Sequence, residues 1–508
     1  MSVARKILSN TVWQFAGKVG MAFLGLAVVK IATHYLSVEG YGEYVLVYEF
    51  LAFFGIAADL GLFTIAVREM SKNEDDIPKI IGNILSLRTI LVVATMLIAV
   101  LLAFLIPDYR DSRIPLGITI ASITVFLTII NGTLTSVLQT KLQMHAASIA
   151  SILGKAISVG FMVYIVFFAF PDQGDIGFFM LIGAGILGAI VTLLTTGYYV
   201  RKITPISYRF DIDLWKKVLK EALPYGLALI LNTIYFRVDS ILISVIRGQE
   251  EVGIYGVAMK MLEHFAILPL YFMNSVLPVL TKSLDEKTKR YKQIISQAFN
   301  FLAAMAVPMV VGGVILAYPI IFIVSTPEFL SRLNKGFVGS DIAFQILIFA
   351  LLFQFLNVLF AFILIAVNRQ VKLLYINAVC VVFNLIANLI FIPYYGFIGA
   401  AVTSVLSEMF ILFATYYYAR KYLEFRIDFG KAFKIILSSL LMGASIYYLK
   451  DVSYELMQNW NVLILIPFGM FVYGGMLFAT KTIDKDMIQL LKKGESKPHD
   501  GNGKHTYS

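Results

Sequence analysis

Of 508 residues one is cysteine, five are histidine and three are tryptophan. The lone thiol, Cys380, closes no disulfide framework and makes no thiolate metal site. His499 and His505 stand in a polar tail at a spacing that suits no metal, so neither a metal nor another cofactor is expected. Charge is scarce too, at 15% of the chain, against about 25% in an ordinary soluble domain. No polar stretch between the apolar runs is long enough to build an extramembrane catalytic site. That argues against an integral-membrane glycosyltransferase or polymerase, and no catalytic residues are assigned.

What the chain has in quantity is apolar sequence: 59% of residues are hydrophobic. Fourteen stretches of 18 or more residues are apolar enough to cross a bilayer. They run roughly over 11–36, 43–66, 84–106, 114–138, 146–170, 177–200, 223–246, 253–280, 293–317, 341–366, 372–393, 396–419, 431–449 and 461–480. This is an all-α polytopic membrane protein. The first stretch is too long, and too interrupted by Lys18, to read as a cleaved signal peptide. The net charge of +10 points to topology rather than to nucleic acid. An even count of spans puts both termini on one side. Loops on that side hold 30 Lys and Arg against 6 on the other, which makes it the cytoplasmic side.

An internal repeat organises the spans. Glu39-Gly-Tyr-Gly-Glu-Tyr44 follows the first span and Glu250-Glu-Val-Gly-Ile-Tyr255 the seventh, 211 residues on. A weaker echo, Tyr395-Gly-Phe-Ile-Gly399, precedes the twelfth. Two six-helix lobes in parallel pseudo-repeat follow, over 1–202 and 223–420. Residues 421–482 then form two additional helices, and the polar tail over 483–508 is expected to be disordered from Gly494 on. Between the lobes, 203–222 reads as a cytoplasmic amphipathic linker. Trp215, Val218, Leu219 and Ala222 share one helical face, which suggests a short helix on the inner surface. The longest outer connection, Tyr318 to Ser340, starts apolar and is expected to re-enter or lie at the interface.

Six basic residues fall inside spans: Lys18, Lys30, Arg88, Lys155, Arg237 and Lys260. A cation facing hydrocarbon costs about 2.5–3.5 kcal/mol even on the mild insertion scale, so each needs protein, water or a headgroup. Lys18, Lys30 and Arg88 can snorkel to headgroups, whereas Lys155, Arg237 and Lys260 lie deeper. Acids are present as Glu49, Asp59, Asp239, Glu263 and Glu408. Lys260, Glu263 and His264 share a helical face, either as a satisfied network or as a cavity wall with a proton-sensitive histidine. Glu49 and Lys260 occupy equivalent places in the two halves. Asp59, with Arg68 two turns on, reads as structural, holding a cytoplasmic gate. Arg237 and Asp239 are two apart, point different ways, and need separate partners. The excess of base over acid favours an anionic ligand such as a phosphate or pyrophosphate headgroup.

The motifs Leu36-Ser-Val-Glu-Gly-Tyr-Gly-Glu-Tyr44, Asp59-Leu-Gly-Leu62, Leu223-Pro-Tyr-Gly, Asp239-Ser-Ile-Leu-Ile and Tyr395-Gly-Phe-Ile-Gly-Ala-Ala401 carry a resemblance. Across most of residues 1–480 the chain resembles polysaccharide-export flippases of the Wzx type. Their superfamily (multidrug/oligosaccharidyl-lipid/polysaccharide exporters) includes the multidrug extrusion transporters and MurJ. The resemblance implies two lobes around a central cavity and alternating access. It also implies an oligosaccharide on a polyprenyl pyrophosphate as substrate, in the cytoplasmic membrane of a prokaryote. On this reading Lys18, Lys30, Arg88, Lys155, Arg237 and Lys260 bind substrate. Glu49, Asp239, Glu263 and His264 balance that charge or couple an ion. Membrane lipids and other polysaccharide-assembly proteins are the expected partners, with no nucleic acid, and the chain is expected to be a monomer. The alternative is a proton- or sodium-coupled multidrug or cation antiporter on the same scaffold, which would call for net carboxylate in the first lobe.

Overall fold

The computed structural model describes residues 3–172, 174–286, 288, 290–332, 334, 336–480 and 482. The tail expected to be disordered lies outside them. So do Lys287, Lys289, Lys335 and Lys481 among the loop cations counted above. The described chain is helical throughout, with one isolated bridge between Arg332 and Phe337. Sixteen α-helices follow in order: α1 (Val3–Tyr35), α2 (Val38–Asp59), α3 (Leu62–Lys72), α4 (Ile77–Leu105), α5 (Ile114–Thr140), α6 (Met144–Tyr164), α7 (Asp175–Arg201) and α8 (Ile212–Arg247). The second half holds α9 (Gln249–Phe265), α10 (Ile267–Asp285), α11 (Arg290–Ile315), α12 (Ala317–Val324), α13 (Ser340–Ala366), α14 (Gln370–Tyr422), α15 (Phe429–Met457) and α16 (Val462–Ala479). Helices suit this composition because each satisfies its own backbone in a solvent that offers no hydrogen bonds.

Twelve candidate spans are long and apolar enough to cross a membrane, against the fourteen read in the sequence. The difference lies in two stretches, Gln370–Tyr422 of 53 residues and Phe429–Ala479 of 51. Each contains two of the apolar runs and a backbone break. In the first, Gly396 takes φ 56° and ψ −139° inside the helix. A side chain there would strike the Glu251 carboxylate, and Glu251 accepts from the Phe397 N–H at 2.7 Å. In the second, Gln458 sits at φ 49° between α15 and α16.

The helices form two compact units. One comprises Met1–Phe265, Leu316–Ala350 and Leu373–Ile411; the other comprises Ala266–Ile315, Leu351–Lys372 and Leu412–Ser508. In the second unit α11 packs on α15 and α16 through Ala303, Ile435 and Leu477. The Tyr473 hydroxyl donates to the Ala304 carbonyl at 2.8 Å in the same region. Large apolar side chains cover the outside: Leu101, Leu105, Phe168, Tyr448, Leu456 and Phe471 are all more than half exposed. A surface of that kind is matched by lipid and not by water.

In the first unit α2 and α9, the helices of the sequence repeat, cross at close range. A Cβ at Gly42 would collide with the Gln249 carbonyl, and one at Gly253 with the Val38 carbonyl. The two glycines are themselves 211 residues apart, so the repeat motif meets its own copy. Small residues at such crossings let backbones approach, as in other membrane helix pairs.

The amphipathic segment of the linker is continuous with a span rather than separate from it. Residues 212–222 form the first three turns of α8, which continues through Pro224. Trp215, Val218, Leu219 and Ala222 do share a face, and that face packs on Leu62, Ile65 and Leu87 of α3 and α4. Its apolar partner is therefore protein. Asp211 caps the helix by accepting from the Leu214 N–H at 3.1 Å. That bond, with Lys79 beside it, holds the Asp211 carboxyl below the usual aspartate range.

Candidate functional site

In the first unit four charged side chains from three helices form a ring. Arg237 of α8 meets Glu49 of α2, with Nη1 at 2.6 and 2.5 Å from the two carboxylate oxygens. The same nitrogen is 2.9 Å from Glu263 Oε1 on α9. Lys260 of α9 donates to Glu49 Oε1 and to Glu263 Oε2, each at 3.0 Å. Signs alternate around the ring, so two acids answer two bases. In a low dielectric this alternation is what makes buried charge tolerable. The equivalence of Glu49 and Lys260 under the repeat is thus realised as a direct ion pair. His264 places Nδ1 2.5 Å from the Lys260 carbonyl, one turn back, and its other nitrogen faces Gly25 of α1.

The other cations are placed differently. Arg88, 3% exposed, is ion-paired with Asp59 and donates to Thr133 Oγ1 at 2.9 Å, which ties α4 to the end of α2 and to α5. Lys30 donates to the carbonyls of Ser325 at 2.5 Å and Phe322 at 3.1 Å. Those are carbonyls at the C-terminal end of α12, where an ammonium both fills orphan acceptors and complements the helix dipole. The apolar start of the outer connection is this short helix, packed on α1 and α9. Lys18 is exposed. Arg68 is ion-paired with Glu221, joining α3 to the first turns of α8. Among the described residues Lys155 has no carboxylate within 4.0 Å; the charge it feels is that of Lys260. The structure therefore gathers Arg237, Lys260, Glu49, Glu263 and His264 into one place with Lys155 nearby, and leaves Lys18, Lys30 and Arg88 elsewhere.

Asp239 faces away from the ring, as its spacing from Arg237 required. It is 3% exposed and accepts from Asn388 Nδ2 at 2.6 Å, Ser404 Oγ at 2.7 Å and the Tyr255 hydroxyl at 3.0 Å. Neutral donors, not a cation, hold it. The Asn388 amide nitrogen also reaches Asn384 Oδ1 at 3.0 Å. This network went unread in the sequence. Its legible signal is Asn384 and Asn388, four apart on one face of an otherwise apolar span. A second unread pair is Glu43 with Arg113, whose Nε donates at 2.7 Å.

The apolar spans make this a multi-pass membrane protein, and the family matches give its class: transporters of the multidrug/oligosaccharidyl-lipid/polysaccharide exporter superfamily. Within that class the chain belongs to the polysaccharide biosynthesis protein family, whose pattern it matches over residues 7–284. The multidrug-exporter family MatE also matches, over 224–390. An uncharacterized membrane protein of Methanocaldococcus jannaschii is 27% identical over 328 residues, 61% of this chain and 61% of that protein. A putative O-antigen transporter of Shigella flexneri is 21% identical over 323 residues, 61% of this chain and 74% of that protein. Lipid II flippase MurJ, in an inward closed conformation, shares the fold at a TM-score of 0.72 and 17% identity. That likeness covers 95% of this chain and 100% of MurJ. The expected family and helical fold are thereby borne out.

Proposed function

We propose that this transporter is a flippase. It moves a polyprenyl-pyrophosphate-linked oligosaccharide from the inner to the outer leaflet of a prokaryotic cytoplasmic membrane, for cell-surface polysaccharide assembly. The observation that carries the reading is the sign of the charge around the α2, α8 and α9 ring. Glu49 and Glu263 each already hold two cationic partners, and Lys155 adds one ammonium that no acid among the described residues answers. The local surplus is positive, which suits a pyrophosphate and not an organic cation.

Arg237 and Lys260 are the headgroup ligands in this proposal. Phosphate oxygens present the same acceptor geometry that the Glu49 carboxylate offers Arg237, so a headgroup can displace the carboxylates. Glu49 and Glu263 then hold the cations between cycles, with His264 one turn from Lys260. Lys30, Arg88, Asp59 and Arg68 keep helices in register as two six-helix lobes alternate access. Both termini lie in the cytoplasm on this reading, on the strength of the Lys/Arg bias. An inside-negative potential assists an outward-moving anion by about 2.3 kcal/mol per charge per 100 mV. A cation antiporter on the same scaffold would need a free carboxylate at the ring.

The test is flipping of a polyprenyl-pyrophosphate oligosaccharide by protein reconstituted in vesicles. Arg237→Gln and Lys260→Gln should each slow it roughly tenfold or more, the rate equivalent of about 1.4 kcal/mol. Collapse of the potential should slow the wild type. Wild-type rates in both variants would overturn the assignment of the ring.

A further inference from the structure

Inside the first unit a cavity of about 270 Å³ lies among α1, α2, α5, α6 and α7. Polar side chains interrupt a wall that is mostly apolar. Ser151, Lys155 and Ser158 line it from α6 at i, i+4 and i+7, and so lie on one face. Thr124 and Asn131 face it from α5, and Tyr48 from α2. A Cβ at Gly185 would stand 3.2 Å from the Tyr48 hydroxyl and 3.5 Å from Thr124 Oγ1, so both groups turn toward the same opening. None of the lining residues is acidic.

Three of these groups lack partners. Thr124 Oγ1 and the Asn131 carboxamide oxygen are buried without a hydrogen bond. The Lys155 ammonium has no carboxylate within 4.0 Å among the described residues. A buried polar atom left unpaired costs about 1–3 kcal/mol and an unanswered cation more. Such an arrangement is retained where something fills it. The hydroxyls can donate, and with one ammonium they make a site of net charge +1, whereas the Asn131 carboxamide oxygen only accepts and would have to be met by a water. The room equals that of about nine waters at roughly 30 Å³ each, and falls below the 300–1,000 Å³ usual for a drug-sized ligand. It admits one small anion with part of its hydration shell.

We propose that this cavity is an anion-binding site, holding a single phosphate-sized or smaller anionic group on Lys155 and the hydroxyls of Thr124, Ser151 and Ser158. The inference shares Lys155 with the flippase reading and to that extent rests on it, but it uses no residue of the Glu49–Arg237–Lys260–Glu263 ring, so ring variants and Lys155 variants test the two separately. The anionic group has two sources, a free ion of the medium or the headgroup of a lipid.

Thermal unfolding of the full chain in detergent tests it, at constant ionic strength with sodium gluconate replaced in turn by chloride, phosphate, pyrophosphate or geranyl pyrophosphate. Phosphate also stabilises by exclusion, equally in every variant, so the difference between variants is the readout. The wild type should gain on the order of 2 °C or more over Lys155→Gln in at least one arm. Lys155→Arg should keep the gain. Thr124→Val, which retains the ammonium, should shift the midpoint concentration several-fold upward, and carries the test should Lys155→Gln not fold. A gain in the inorganic arms identifies a free ion, and a gain with geranyl pyrophosphate alone identifies a lipid headgroup. Equal responses in wild type and Lys155→Gln, or no response in any arm, would overturn the site.

Discussion

Gly42 and Gly253 show how much can rest on a missing side chain. Each lies where a Cβ would enter the backbone of the opposing helix, at Gln249 and Val38. The closest contact of the repeat helices therefore tolerates hydrogen and nothing larger. Gly42→Ala and Gly253→Ala should each destabilise the protein by about 1–3 kcal/mol, the usual cost of overpacking. Gly160→Ala, inside α6 with no atom within 4 Å of the added carbon, should hold or raise the melting temperature. Matching losses at all three positions would show that the crossing is not a close contact. Asp239 is the opposite case, a residue that matters through what it accepts. Asp239→Ala would remove the acceptor shared by Asn388, Ser404 and Tyr255, while Asn388 keeps Asn384 and Tyr255 keeps Ser404, so a loss of about 1–3 kcal/mol in all is expected. Asp239→Asn should fall between the alanine variant and the wild type, since one carboxamide oxygen can still accept. Melting of purified protein reads both.

At the scale of elements, α8 is the most informative. Its first turns continue the linker, its apolar face is covered by α3 and α4, and its middle supplies Arg237 to the ring. The Asp211 cap sets its start. The Asp211 backbone N–H also donates to Asn83 Oδ1 at 2.7 Å, which anchors the turn on α4. Because the Leu214 N–H and Lys79 hold the Asp211 carboxyl below its ordinary range, the folded state binds its proton more weakly than the unfolded chain. Its contribution is therefore full above the ordinary aspartate range and is lost as pH falls through the lowered value. Asp211→Ala should melt below the wild type at neutral pH, with the gap closing on acidification. A gap independent of pH would assign the cap's effect to geometry alone. The amphipathic pattern of this segment was legible at Trp215, Val218, Leu219 and Ala222. Its partner was not, because an apolar face reads the same whether lipid or protein covers it.

For the whole molecule, the legible and illegible parts divide by distance along the chain. Apolar length marked where helices run, and two breaks at Gly396 and Gln458 account for the difference between fourteen apolar runs and twelve candidate spans. The repeat was legible in Gly42 and Gly253, and so was the equivalence of Glu49 and Lys260, 211 residues apart. That Arg237 joins them from 188 residues away was not, nor that Lys30 finishes on the carbonyls of Phe322 and Ser325. Asn384 and Asn388 carried a spacing signal, yet nothing local tied them to Asp239. The sequence alone determined a helical membrane protein with a cationic surplus, since hydropathy and charge add up along a chain without reference to its folding. Tertiary structure decided which cations are answered by an acid and which, such as Lys155 among the described residues, are not. An ion pair depends on a separation of a few ångströms between groups, and only the packing of helices sets that.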